Sequence, residues 1–151
     1  MRDLLAQNQE FWTTLGQLAL TYVLTLLIGW EREQEAHTTG LRTFPLVGIA
    51  SCAFLLAFSP HPDSGDQSRV LQGLITGIGF VGGGAILKDS AKVRGTATAA
   101  SIWNAGAIGA LVAMEHYAIA VVLALLNLLT LRALLPIKAR IDRSRDLDPR
   151  D

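Results

Sequence analysis

The chain has 151 residues, of which 50% are hydrophobic and only 17% charged, with thirteen basic and thirteen acidic side chains and no formal net charge. Soluble domains carry about 25% charged residues, so this composition argues against a water-soluble domain and for several membrane spans in one unit. Neutral charge gives no basic footprint for a nucleic acid, and a single cysteine, Cys52, excludes an intrachain disulfide.

The opening residues, MRDLLAQNQE, are polar and mixed in charge. They lack a basic n-region, and no small-residue cleavage site follows the first apolar run, so no removable signal peptide is expected. Five spans are predicted, at about 11–30, 43–59, 70–87, 96–114 and 116–136. Each is close to the roughly 20 residues that cross a hydrocarbon core. They predict an all-α fold: a bundle of five transmembrane helices over residues 1–136, then a charged cytoplasmic tail over 137–151 that frays. The second span starts at Thr43 and the fourth at Thr96, both read as N-caps, with Pro45 in the first turn of the second.

The third span is the most informative. No charged side chain lies between Val70 and Leu87, and Gly73, Gly77, Gly79, Gly82, Gly83 and Gly84 fall within it. In water each glycine costs a helix about 1 kcal/mol relative to alanine. In a bilayer glycines instead let helices approach closely, so this span is expected to sit centrally, against the fourth. Gly77 to Gly82 matches G-x-G-x-x-G, but a dinucleotide site needs a preceding strand and a later acid, and neither is present. Gly73/Gly77 and Gly79/Gly83 read as small-xxx-small packing pairs. The alternative is that Gly82–Gly84 unwinds the helix and exposes carbonyls to an ion. On the fourth span Ala97, Ser101, Asn104 and Ile108 share a face. Ser101 and Asn104 either bond across to the glycine-rich span or line a narrow polar path.

Basic residues set the orientation. Arg2 and Arg69 lie on one side, and the other eleven, including Arg32, Arg42, Lys88, Lys92, Arg94 and Arg132, on the opposite side. The positive-inside rule puts the N-terminus outside and the C-terminus in the cytoplasm.

The cytoplasmic rim carries the candidate site. Glu31 is expected at the C-terminal, negative end of the first helix, where a carboxylate needs a partner. Arg42 and Arg94, at the starts of the second and fourth spans, are the candidates, with Arg32 and Asp89 nearby. The group reads either as a structural ion pair or as a gate. Glu31 and Glu35, with Glu33 and His37, are weak candidates for Mg²⁺, which favours carboxylate oxygens but rarely a dedicated protein cage; the same EREQEAH segment also reads as a solvated loop. No other cofactor is indicated. No nucleophile is set beside a base, so no enzyme activity is expected.

Four separated blocks resemble the MgtC/SapB family of bacterial membrane proteins. They are Ile28-Gly29-Trp30-Glu31-Arg32; Gly40-Leu41-Arg42-Thr43; Gly77 to Ile86; and Val93-Arg94-Gly95 with Thr98-Ala99-Ala100, Ile102-Trp103 and Ala107-Ile108-Gly109. Trp30 and the triple glycine depart from the family's commoner leucine and Gly-Ala-Gly. The resemblance implies a multi-pass inner-membrane protein, tied to magnesium homeostasis, low-Mg²⁺ or acid stress and virulence. It implies a regulator acting through membrane partners, or alternatively a small transporter or channel for Mg²⁺, K⁺ or H⁺ gated at the rim. Some members carry a soluble C-terminal domain; this chain ends at Asp151, so that domain is not expected in it. Besides the lipid bilayer, the expected partners are a second copy, through small residues on spans three and four, and another membrane protein, but no nucleic acid.

Overall fold

Backbone amides and carbonyls have no water to bond in hydrocarbon, so helices dominate. A computed structural model of the chain describes residues 2–36, 40–58, 66–89 and 92–146, with side chains over 6–34, 40–58, 67–88 and 93–134. In chain order the elements are α1 (Arg2–Ala36), α2 (Thr43–Ala57), α3 (Asp66–Gly84), β1 (Leu87–Asp89), β2 (Lys92–Arg94), α4 (Thr96–Ala113) and α5 (Tyr117–Asp146). Among the described residues, three helical stretches are long and apolar enough to span a bilayer: Ala6–Gln34, Thr96–Ala113 and Tyr117–Leu134. α2 is a shorter apolar helix of 15 residues, and α3 has 19, about 28 Å at 1.5 Å per residue. The fold is an all-α membrane bundle.

The distribution of side chains suits lipid. Phe80 is 85% exposed, and Leu46, Val122, Leu125 and Leu129 also face outward. Thr21, Thr25, Ser51, Ser101 and Asn127 are buried instead. Thr25 and Ser51 return their hydroxyl protons to the helix, donating to the Thr21 carbonyl at 2.7 Å and the Val47 carbonyl at 2.7 Å.

α4 is the central helix and packs against all four others. Its contact faces are built from small residues, including Ala105, Gly106, Gly109 and Ala113, all buried. Gly109 lies against the Gly48 backbone of α2, where an added Cβ would come within 3.0 Å of both the Gly48 carbonyl carbon and Ser51 Cβ. Gly48 in turn receives Thr25 of α1, and Gly106 receives the Ile78 side chain of α3. These notches carry close approach from α1 through α2 and α4 to α3.

The expectation of a central third span is corrected. α3 packs on α4 and more lightly on α2, and it is α4, with small residues on several faces, that can be approached from every side. The α3 glycines are also placed differently from the packing expected of them. Gly82 alone meets a neighbour, the Ala99 carbonyl oxygen at 3.2 Å from where its Cβ would stand; Gly73, Gly77, Gly79, Gly83 and Gly84 have nothing within 4 Å. The helix is continuous through Gly84, so the triple glycine does not unwind it.

Element ends differ from the sequence reading too. α1 begins at Arg2 and continues to Ala36, and α5 runs on through the expected tail as far as Asp146. The link between spans three and four folds into an antiparallel hairpin with Leu87 opposite Arg94 and Asp89 opposite Lys92. Thr43 and Thr96 sit just inside their helices, and Arg42 and Gly95 are the N-caps, neither with a side-chain cap bond. Gly95 adopts φ 84 beside the Ala85 carbonyl, a left-handed turn that glycine takes without penalty.

Gly109→Ala is expected to lower unfolding free energy by about 1–3 kcal/mol, because its methyl group meets backbone. Gly79→Ala, with open space around it, is expected to stay within about 0.5 kcal/mol. Denaturant unfolding in detergent micelles, followed by circular dichroism, reads both.

Candidate functional site

Successive helical residues project 100° apart, so three in a row address three directions. At the charged end of α1 these are Glu31, Arg32 and Glu33, and each reaches a different part of the bundle. Glu31 Oε2 accepts from Arg132 of α5, at 2.9 Å from Nε and 2.7 Å from Nη2. Glu31 is 12% exposed and Arg132 69%, so the pair sits at the surface of the bundle with its cation open. Arg32 is only 8% exposed, and its Nη2 donates to Thr98 Oγ1 of α4 at 2.8 Å. Glu33 Oε2 accepts from the Gly40 amide at 3.0 Å and the Leu41 amide at 3.1 Å, holding the turn that leads into α2.

This turn lies directly on α1. A Cβ at Gly29 would come 2.7 Å from the Gly40 carbonyl oxygen, and one at Gly40 would come 2.7 Å from the Glu33 amide nitrogen. Glycine at both positions allows the backbones to touch, and that contact brings the Gly40 and Leu41 amides within reach of the Glu33 carboxylate.

The expected pairing of Glu31 with Arg42 or Arg94 is corrected: its partner is Arg132. The helix does not end at Trp30 but continues to Ala36, so Glu31 stands clear of the last turn whose dipole was expected to disfavour it, and it meets α5 through Arg132. Arg42 and Arg94 are both exposed, and neither has an ion-pair partner among the described residues. The side chains of Glu35 and Asp89, and all of His37, lie outside the described residues. Among those described, no three His, Cys, Asp or Glu residues gather as a metal site; Glu31 is occupied by Arg132 and Glu33 by two amides.

Ser101 and Asn104 face α5 rather than the glycine-rich helix. Ser101 Oγ donates to Asn127 Oδ1 at 3.1 Å. Beside that bond lies a cleft of about 190 Å³ between α4 and α5, lined among others by Ser101, Asn104, Asn127 and Thr130. At the opposite end of the bundle, Gln17 Nε2 of α1 donates to the Val112 carbonyl at 3.2 Å and to Tyr117 Oη at 3.3 Å. Sequence reasoning did not single out Gln17, Thr98, Asn127 or Arg132 as members of a site. The available signal was that each is polar within or beside an apolar span.

A profile of the MgtC family matches residues 18–140 of the chain. Among known proteins, the chain is 37% identical over 112 residues to Protein MgtC of Brucella abortus, covering 72% of this chain and 47% of that protein. It is 36% identical over 101 residues to Protein MgtC of Salmonella typhimurium, covering 66% and 43%. An uncharacterized protein of Synechocystis is 32% identical over 133 residues, covering 88% and 57%. The chain thus spans about half the length of the curated relatives it matches. No solved structure matches it.

The three rim contacts are expected to differ in weight. Arg32→Ala is expected to destabilise by about 2–4 kcal/mol, since it empties a buried polar position and strands Thr98. Glu31→Gln is expected to cost less, because Arg132 is open to solvent. The charge-swapped pair Glu31→Arg with Arg132→Glu should recover part of the loss, and a thermodynamic cycle on the single and double variants checks it.

Proposed function

The chain belongs to the MgtC family, and from that premise we propose that it is a regulator in the bacterial inner membrane, linked to magnesium homeostasis and to adaptation to low Mg²⁺ or acid stress, acting by contact with other membrane proteins. The observation that carries this reading is where the charges are. None of the five spans predicted from the sequence contains an aspartate or glutamate, and within the Ala6–Gln34 stretch Glu10, Glu31 and Glu33 lie toward the two ends, whereas passage of a hydrated divalent cation calls for acids or a ring of carbonyls at depth. The described acids at the rim are already engaged, Glu31 by a cation and Glu33 by backbone amides. A rim so committed is built to fix helix ends.

Eleven of the thirteen basic residues lie toward this rim, which supports a cytoplasmic placement for it and an outside N-terminus. Two features remain available to a partner: the exposed guanidinium groups of Arg42 and Arg94, and the outward face of α3 with Gly73, Gly77, Gly79, Gly83 and Gly84 open. The α3 face suits close approach by another helix, including that of a second copy in a homodimer. Residues 1–136 form the membrane unit in this reading, with the charged segment after it in the cytoplasm.

Two assays test it together. Purified protein in liposomes with Mg²⁺, K⁺ and proton reporters is expected to give no flux, while the same protein restores low-Mg²⁺ growth to a bacterium lacking its own family member. Arg42→Glu with Arg94→Glu is expected to leave thermal unfolding unchanged and to abolish the growth rescue. Saturable flux that is lost in Glu31→Gln and Arg94→Ala would contradict the proposal and establish the competing reading, a small transporter gated at the rim. Light scattering in detergent is expected to give the mass of a dimer, and monomer alone at high protein concentration would remove the homodimer.

A further inference from the structure

α2 and α3 touch only lightly, and the seam between them opens into a groove of about 520 Å³. Phe54 and Phe58 of α2 form one wall, and Gly73 and Gly77 of α3 the other. The groove runs from Val47 and Val81, near the charged rim, to Phe58 and Val70 at the opposite end. Along either helix that is about 16 Å, close to the ~15 Å of half a hydrocarbon core. An engineered cavity of about 150 Å³ holds one benzene ring, so about 520 Å³ has room for roughly 20 carbons. The single polar side chain in the lining, Ser51, already donates to the Val47 carbonyl at 2.7 Å. The groove therefore offers its occupant no hydrogen bond and suits a hydrocarbon chain. Gly73 and Gly77 leave the space for one, since a Cβ at either would meet nothing within 4 Å.

The end away from the rim carries a cation. Arg69 stands one turn before Gly73, on the same side of α3, because helical residues four apart are neighbours. Its side chain is exposed and has no ion-pair partner among the described residues. Long side chains on a helix lean toward its N-terminus, which for α3 is the end away from the rim. The guanidinium thus stands above the lip of the groove, toward the headgroups. A cation over an apolar slot one leaflet deep is complementary to a phospholipid, with phosphate for the guanidinium and an acyl chain for the slot. Enclosing a helix 10–12 Å across over the same length would take about three times the volume.

We propose that the α2–α3 groove holds one phospholipid from the leaflet opposite the charged rim, its phosphate on Arg69 and one acyl chain laid along Gly73 and Gly77 beside Phe54 and Phe58. The α3 glycines that the chain's own packing does not use then divide by face. Gly73 and Gly77 meet the lipid, while Gly79 and Gly83 project to the other side of the helix and stay open to a partner helix. The site stands whether the protein regulates or transports.

The test is native mass spectrometry of the full chain released from detergent with dipalmitoyl phosphatidylglycerol, or with dipalmitoylglycerol, which has the same chains and no phosphate. The unaltered protein is expected to retain the phospholipid about 5-fold more tightly, the attraction of one basic residue at a membrane surface. Arg69→Gln is expected to remove that preference and leave retention of the diacylglycerol as it was. Gly77→Leu fills the slot. With open space around Gly77 it is expected to fold, which its thermal unfolding checks, and to weaken retention of both lipids. Equal retention of the two lipids by the unaltered protein would overturn the proposal without recourse to any variant. A folded Gly77→Leu that holds the phospholipid unchanged would also overturn it, and if that variant turns a dimer into monomer the groove belongs to a second copy.

Discussion

The bundle depends on one constraint: three adjacent polar side chains on α1 must each find a partner on a different element. The 100° step of the helix sends Glu31 to α5, Arg32 to α4 and Glu33 to the turn before α2. Arg32 is the demanding member. It is buried beside apolar helices, where a guanidinium without compensation is not tolerated, and Thr98 at the start of α4 accepts one of its hydrogen bonds. The Gly29–Gly40 contact then positions the Glu33 carboxylate over two backbone amides. Fixing α1 against three neighbours at one level leaves the other end of the helix free to be set separately, by Gln17 on the last turn of α4 and on Tyr117.

Below the rim, cohesion comes from shape. Hydrophobic burial gives membrane helices little reason to associate, because lipid tails are as apolar as leucine. The notches at Gly48, Gly106 and Gly109 supply van der Waals contact that larger residues would prevent. α4 holds most of these notches and is therefore central. α3 touches it along one ridge, through Ile78 and Gly82, and is flanked on both sides by apolar grooves, one of about 220 Å³ toward α4 and one of about 520 Å³ toward α2. A helix attached along one ridge is the element most open to further company, which is why the proposed contact with a partner is placed there.

The spans were legible because apolar runs and basic flanks report directly on a bilayer. The rim was legible as a region: Glu31, Arg32 and Arg42 stand out as charges against apolar runs. Their partners were not legible, because pairing depends on where α1 stops, and sequence placed its end near Trp30 when it reaches Ala36. With the helix continuing past it, Glu31 lies on a face toward α5 and pairs with Arg132 rather than with Arg42 or Arg94. Glycine in α3 signalled that close approach is possible but carried no address; within the chain only Gly82 uses it. The hairpin of Leu87–Asp89 and Lys92–Arg94 was missed because three-residue strands show no alternation to read. Asn127 gave no sequence signal of its partner, since its bond to Ser101 joins residues 26 apart with no local pattern.

The rim node joins α1 to α5, to α4 and to the turn before α2 at one level of the bundle. The most direct test of the node is hydrogen–deuterium exchange of the full chain in lipid nanodiscs, with and without Arg32→Met. If α1, the α2 turn and the α4 start are held as one unit, the variant should lose amide protection over residues 29–36, 40–46 and 92–100 together, while the Gln17 end of α1 stays protected. Loss confined to α1, or protection unchanged at all three segments, would contradict the claim that the charged end of the bundle is fixed through these side chains.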